Sequence, residues 1–163
     1  MCMSTKRILC GAIGSLLLLC LVVAATPGSG ALFNYLNRST YVTDMIHEGA
    51  HLPGWNVQLE VVGATDIVQQ NAATAPGGYS GWHSHPGPVF ITVKSGTLTW
   101  YNANDPACTP IVYPAGSAFI EPAGLSHNVR NEGTTNWEVL DTYLVPKGMA
   151  HRQEEPKPPQ CSF

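Results

Sequence analysis

A chain of 163 residues with a formal net charge of −3 at pH 7 is long enough for one ordinary domain and short for two. Its eight Lys and Arg form no cluster outside the N-terminus, which excludes the electrostatic footprint of a nucleic-acid-binding protein. Hydrophobic residues make up 44% of the chain, enough for a packed core and too many for a disordered middle.

Residues 1–25 are a separate object. Lys6 and Arg7 precede an apolar run over 8–25, which ends in the small residues Val23-Ala24-Ala25. Thr26-Pro27-Gly28-Ser29-Gly30 then breaks the pattern. This layout predicts a secretory signal peptide over 1–25 and a mature chain that is secreted or held in the periplasm or cell envelope. The run is also about long enough to cross a bilayer, so an uncleaved anchor is the alternative and the only route to a membrane. Cys20 would suit a lipoprotein, but Leu19 stands where a small residue is wanted.

Residues 26–54 read as a leader of weak pattern, with some helical character over 31–49. Asn37-Arg38-Ser39 is a glycosylation sequon, meaningful only in a eukaryotic secretory host. His47-Glu48-Gly49-Ala50-His51 matches the H-E-x-x-H pattern of zinc proteases. That chemistry needs both imidazoles on one helical face, and Gly49 and Pro53-Gly54 oppose such a helix. A polar segment at the rim of the domain is the expected role.

From residue 55 to 145 the chain reads as many short strands with turn signals between them. Strands are expected over 55–62, 65–70, 83–93 (interrupted at Pro86-Gly87-Pro88), 97–102, 111–113, 118–121, 126–130 and 137–145. Ser95-Gly96 makes a hairpin turn, and residues 77–81 a turn cluster. The regular spacing argues for an all-β sandwich or barrel. Residues 146–163 form a Pro-rich tail without expected regular structure. Cys2, Cys10 and Cys20 leave with the signal, so Cys108 and Cys161 remain as a pair in an oxidising compartment. A Cys108–Cys161 disulfide would pin the tail, and two free thiols are the alternative.

Within the strand-rich part, three histidines fall in two segments. His83 and His85 share one face of a strand because successive residues alternate. His127 lies on another strand and completes a set if that strand lies beside the first. Three imidazoles with open positions describe a catalytic rather than a closed structural metal site. They suit one divalent transition metal, with Fe, Mn, Zn, Ni and Cu not distinguished.

The order of these residues resembles the cupin superfamily. Gly77, His83, His85 and Gly96 match its first motif, and Gly116, Pro122, Gly124, His127 and Asn131 match every fixed position of the second. The likeness spans about residues 55–145 and is greatest to small secreted single-domain bacterial cupins. It implies a single-domain jelly-roll β-barrel with His83, His85 and His127 as metal ligands. The departure is at the first motif's glutamate, where this chain has Val89. Val89 shares the parity of His85 and should point inward, leaving a site of neutral imidazoles that favours anionic ligands. Glu121 is the nearest carboxylate that could substitute, and Tyr143 is a second weak candidate for a catalytic group.

The resulting expectation is a metal-binding cupin that holds a small anionic or chelating organic molecule. If it is an enzyme, the resemblance points first to a mononuclear metal-dependent dioxygenase. The alternatives are a non-catalytic ligand- or metal-binding envelope protein and a metal-dependent isomerase or lyase. A homodimer is plausible because open jelly rolls often cover an edge strand that way.

Overall fold

The computed structural model describes residues 26–43 and 45–163. The expected signal peptide and Cys2, Cys10 and Cys20 lie outside those residues. Among the described residues there is no helix, hence none long and apolar enough to cross a membrane. Twelve strands follow one another: β1 Ser29–Thr40, β2 Met45–Leu52, β3 Trp55–Val62, β4 Thr65–Tyr79, β5 His83–Ser84, β6 Val89–Ser95, β7 Thr97–Asn102, β8 Ile111–Pro114, β9 Ala118–Glu121, β10 His127–Arg130, β11 Trp137–Pro146 and β12 Gln153–Glu154.

Ten of them join one sheet in the order β12-β5-β10-β4-β11-β6-β9, with β1 on β4 and the β7–β8 hairpin on β10. The pairing is antiparallel throughout and folds the sheet back into a jelly-roll barrel. The all-β barrel expected from the turn spacing is therefore present. Its core is Val68, Ala72, Val89, Ile91, Val93, Leu98, Trp100, Val129, Trp137, Val139, Tyr143 and Val145. Alternation decides which residues these are. Along β11, Trp137, Val139, Asp141, Tyr143 and Val145 are all buried, while the residues between them are not.

Two reversals show what glycine contributes. Gly96 closes the β6–β7 turn at φ 71°, and a Cβ there would lie 2.5 Å from the Asn136 carbonyl oxygen. Gly81, at φ 77°, holds the turn ahead of β5 against the backbone of residues 26–28.

Two local expectations are corrected, and the expected failure of the zinc-protease match is seen. The segment 31–49 is not helical: β1 runs alongside β4 from Ser29 opposite Tyr79 to Thr40 opposite Asp66, so part of the presumed leader is a strand of the barrel sheet. Its apolar residues do not alternate because β1 lies at the sheet edge, with Leu32, Phe33, Tyr35 and Leu36 all exposed. The boundary drawn between residues 54 and 55 falls in the turn of the β2–β3 hairpin, a separate two-stranded sheet. His47 and His51 stand on β2, an extended strand, so the zinc-protease geometry is absent.

β4 is also far longer than the short run expected over 65–70. Its inward positions include Asp66, Gln70 and Thr74, and these buried polar residues hide the strand from a hydrophobicity pattern. The tail, finally, is tied down. β12 pairs with β5, placing Glu154 opposite His83. A Cys108–Cys161 disulfide bridges a separation of 53 residues. Cys161 packs with Trp82 and Tyr101 in a second small core that Phe163 covers.

Candidate metal centre

Strand pairing brings the three histidines together. His83 and His85 lie two residues apart, and β10 sets His127 directly opposite His83. All three are buried. One ring nitrogen from each lies within 4.8 Å of the other two.

The backbone dictates which nitrogens these are. The Nδ1 of His83 lies 2.8 Å from the Gly81 carbonyl, that of His127 2.8 Å from the Leu125 carbonyl, and that of His85 2.6 Å from the His151 carbonyl. A carbonyl only accepts, so each Nδ1 carries the proton and donates it. Each Nε2 is then a free lone pair facing the common centre. This is the arrangement in which outer partners fix a metal ligand's tautomer and ring orientation. Burial lowers the His83 imidazole well below its usual range, and the neighbouring His127 and Arg152 charges add to that, so its lone pair stays available.

Glu121 faces the same centre. Its Oε2 lies 3.3 Å from His85 Nε2 and its Oε1 3.2 Å from His127 Nε2. His127 Nε2 is wholly buried and has no protein group in good hydrogen-bond geometry, the Glu121 carboxylate and the other two imidazoles being what surrounds it. An orphaned buried nitrogen among two more imidazole lone pairs and a carboxylate fits a divalent transition ion. Burial alone would raise the Glu121 carboxyl, but His127 and His85 outweigh it and hold the group well below the usual carboxylate range.

The carboxylate missing at Val89 has thus moved by one strand. Val89 on β6 is the registered partner of Glu121 on β9, and both are buried. The expectation of a centre of imidazoles alone is corrected, and Glu121, the carboxylate offered as a substitute, faces the three rings. A four-residue strand between Gly/Pro turns does not reveal its parity in the sequence, which leaves Glu121 only a weak candidate there.

Beside the centre lies a cavity of ≈ 540 Å³. Ile91, Leu98, Val129 and Val139 form its apolar wall, and His151 and Arg152 of the tail also line it. Tyr143 packs edge-on against His85, with ring centroids 5.1 Å apart. Its phenol is pushed well above the usual range by burial and by the Asp141 charge, so it is neutral.

The sequence model of the cupin domain family (Cupin_2) matches residues 72–143, the span from mid-β4 to β11 that carries the three histidines, Glu121 and Tyr143. Those residues are a cupin domain. Over 76 residues the cupin is 33% identical to germin-like protein subfamily T member 3 of Arabidopsis thaliana. That match takes in 45% of this chain and 34% of the plant protein, so the chain spans about a third of its curated relative's length. Among solved structures, an uncharacterised double-stranded β-helix protein of Klebsiella pneumoniae is similar at 24% identity and a TM-score of 0.48, covering 56% of this chain and 76% of that one. Lactobacillus farciminis oxalate decarboxylase in complex with formate is similar at 20% identity and a TM-score of 0.47, covering 54% and 26%.

Sequence reasoning missed Asp141 and Gln70, which the cupin barrel places in the cavity wall. Burial lifts the Asp141 carboxyl to about 7 from an ordinary 3.8, and the Gln70 hydrogen bond holds it back only in part. The folded chain therefore keeps a proton that the unfolded chain releases. Its contribution to stability is complete below about pH 4 and is lost as pH rises to about 7, by up to about 4 kcal/mol. Asp141→Asn is expected to raise the thermal midpoint at pH 8, with the gain over wild type shrinking toward pH 4. A gain that does not vary with pH would contradict this account.

Proposed function

We propose that this chain is an exported metal-dependent cupin that binds a small organic anion or chelator beside one divalent transition ion. His83, His85, His127 and Glu121 would hold the ion. The observation that carries this reading is the trio of Nε2 atoms, each freed by a backbone carbonyl at Nδ1 and aimed at one buried point. An ion in that place supplies Lewis acidity and, if redox-active, a site for oxygen chemistry.

The chain's own residues do the rest. With Glu121 in the set, a divalent ion keeps about one net positive charge, while Arg152 at the cavity wall is already paired with Glu154 and adds none. That balance suits a monoanion or a bidentate chelator. The apolar wall excludes water from the remainder of the ligand, and Tyr143 offers a neutral phenol beside His85.

Oxidative cleavage of such a ligand is the first activity to test. A Lewis-acid lyase or isomerase is the second reading, favoured by the buried Tyr143 phenol in the cavity wall, since such reactions need a proton-handling group. A second copy of the chain would find its docking edge on β1, where apolar side chains are exposed.

Elemental analysis of protein purified after export, followed by oxygen uptake on a panel of small hydroxy and keto acids, tests the reading. One iron per chain with oxygen consumption supports the oxygenase. Zinc or manganese with non-oxidative turnover supports the lyase or isomerase. A chain that retains no divalent ion when loaded and desalted would remove the metal-dependent reading altogether.

A further inference from the structure

We propose that Asp141 is the specificity-determining residue of the cavity, holding a hydroxyl group of the ligand. The inference rests on the reading that a ligand occupies this cavity, and it adds which chemical group the ligand must present there.

Asp141 stands in the middle of β11, between Gln70 on β4 and Ile91 on β6. Its parity on β11 turns the side chain into the barrel, where it is only 4% exposed. A carboxyl group so placed must be satisfied by protein, water or ligand. Its two oxygens are treated differently. Oδ2 accepts from Gln70 Nε2 at 3.0 Å and from the Tyr143 hydroxyl at 3.3 Å. The Tyr143 hydroxyl in turn accepts from Gln70 Nε2 at 2.6 Å, so the three side chains form a closed set around Oδ2. Oδ1 has no partner at all.

Gln70, Asp141 and Tyr143 all line the cavity, whose other lining near them is the apolar Ile91 and Val139. No protein donor stands ready for Oδ1. The interlocked bonds at Oδ2 also fix the carboxyl plane, so Oδ1 cannot turn to find one. A barrel that built this position for stability alone would have placed an apolar residue here, like its neighbours Val139 and Val145 on the same face.

The unpartnered oxygen is therefore aimed at what enters the cavity. Above about pH 7 the group is a carboxylate that accepts and does not donate, so its complement is a donor such as an O–H group. A ligand anchored by a carboxylate or other anionic end at the imidazoles would bring an alcohol, phenol or enol elsewhere on its frame to Asp141. An ether or a bare C–H at that place leaves Oδ1 buried and unpaired, and such a mismatch is what gives polar sites their discrimination.

The test uses the full mature chain loaded with Co²⁺ at pH 8. The probes are 2-, 3- and 4-hydroxybenzoate, each paired with its methoxy counterpart, and dissociation constants are read by calorimetry. In wild type, at least one hydroxy probe is expected to bind about tenfold or more tightly than its methoxy partner. Asp141→Asn keeps an acceptor for Gln70 and Tyr143 but turns an N–H₂ into the cavity, so the preference should fall to about twofold or reverse. Asp141→Leu should abolish it. Absence of a hydroxyl preference in every pair, or the same preference in wild type and both variants, overturns the proposal.

The visible Co²⁺ band scores metal uptake separately, and both variants should retain it. Wild type that takes up no Co²⁺ fails the metal reading. The hydroxyl preference, measured in parallel on metal-free protein, then stands or falls on Asp141 alone.

Discussion

His127→Ala protein is expected to lose its divalent ion on desalting, while the wild-type chain keeps one per molecule. The variant removes one of three buried imidazoles and leaves its Leu125 carbonyl without a donor. Glu121→Gln should be milder. The amide keeps the shape of the side chain but removes the negative charge, and the affinity should fall by about 10- to 100-fold. Because Val89 and Glu121 are registered partners on adjacent strands, the exchange Val89→Glu with Glu121→Val should recover much of that loss. Zn²⁺ or Co²⁺ competition against a chromophoric chelator measures all four proteins. An affinity in Glu121→Gln equal to wild type would show that the carboxylate does not reach the ion. A circular dichroism spectrum matching wild type ensures that a lost ion is not a lost fold.

Opening the Cys108–Cys161 bridge should weaken both the fold and the metal centre. Closing a loop of 53 residues removes chain entropy worth about 4 kcal/mol from the unfolded state. A paired Cys108→Ser, Cys161→Ser variant should therefore melt roughly 10–20 °C lower. The consequence for the site is more specific. The tail is the element that supplies the His151 carbonyl to His85 Nδ1, and it also brings Arg152 to the Ser80 carbonyl at 2.8 Å. A tail that detaches frees the His85 ring to turn and to change tautomer, at a cost of about 10-fold or more in metal affinity. Loss of thermal stability with an unchanged affinity, measured well below the melting range, would separate the tail from the centre and refute the coupling.

Much of the molecule was legible because its signals are local. The alternation of His83 and His85 placed both imidazoles on one face, and Gly77, Gly96, Gly116 and Gly124 marked reversals, all four with positive φ. Cys108 and Cys161, the two cysteines outside the expected signal peptide, form the bridge that the structure contains. Other features were illegible for a common reason. β1 carries apolar residues without a period because its side chains are open to solvent at the sheet edge. β4 breaks the hydrophobic pattern with Asp66, Gln70 and Thr74, whose polar groups are buried.

The chain by itself indicated an all-β domain and named the three histidines and the two cysteines as candidates, since each follows from residue type and local spacing. Only the tertiary structure decided that Glu121 stands in for the carboxylate absent at Val89, that the tail's His151 carbonyl holds His85, and that Asp141 turns an unpaired oxygen into the cavity. Each of those depends on which strands lie side by side and in what register. Register is set by the summed packing of both faces of a sheet, and no short segment contains it.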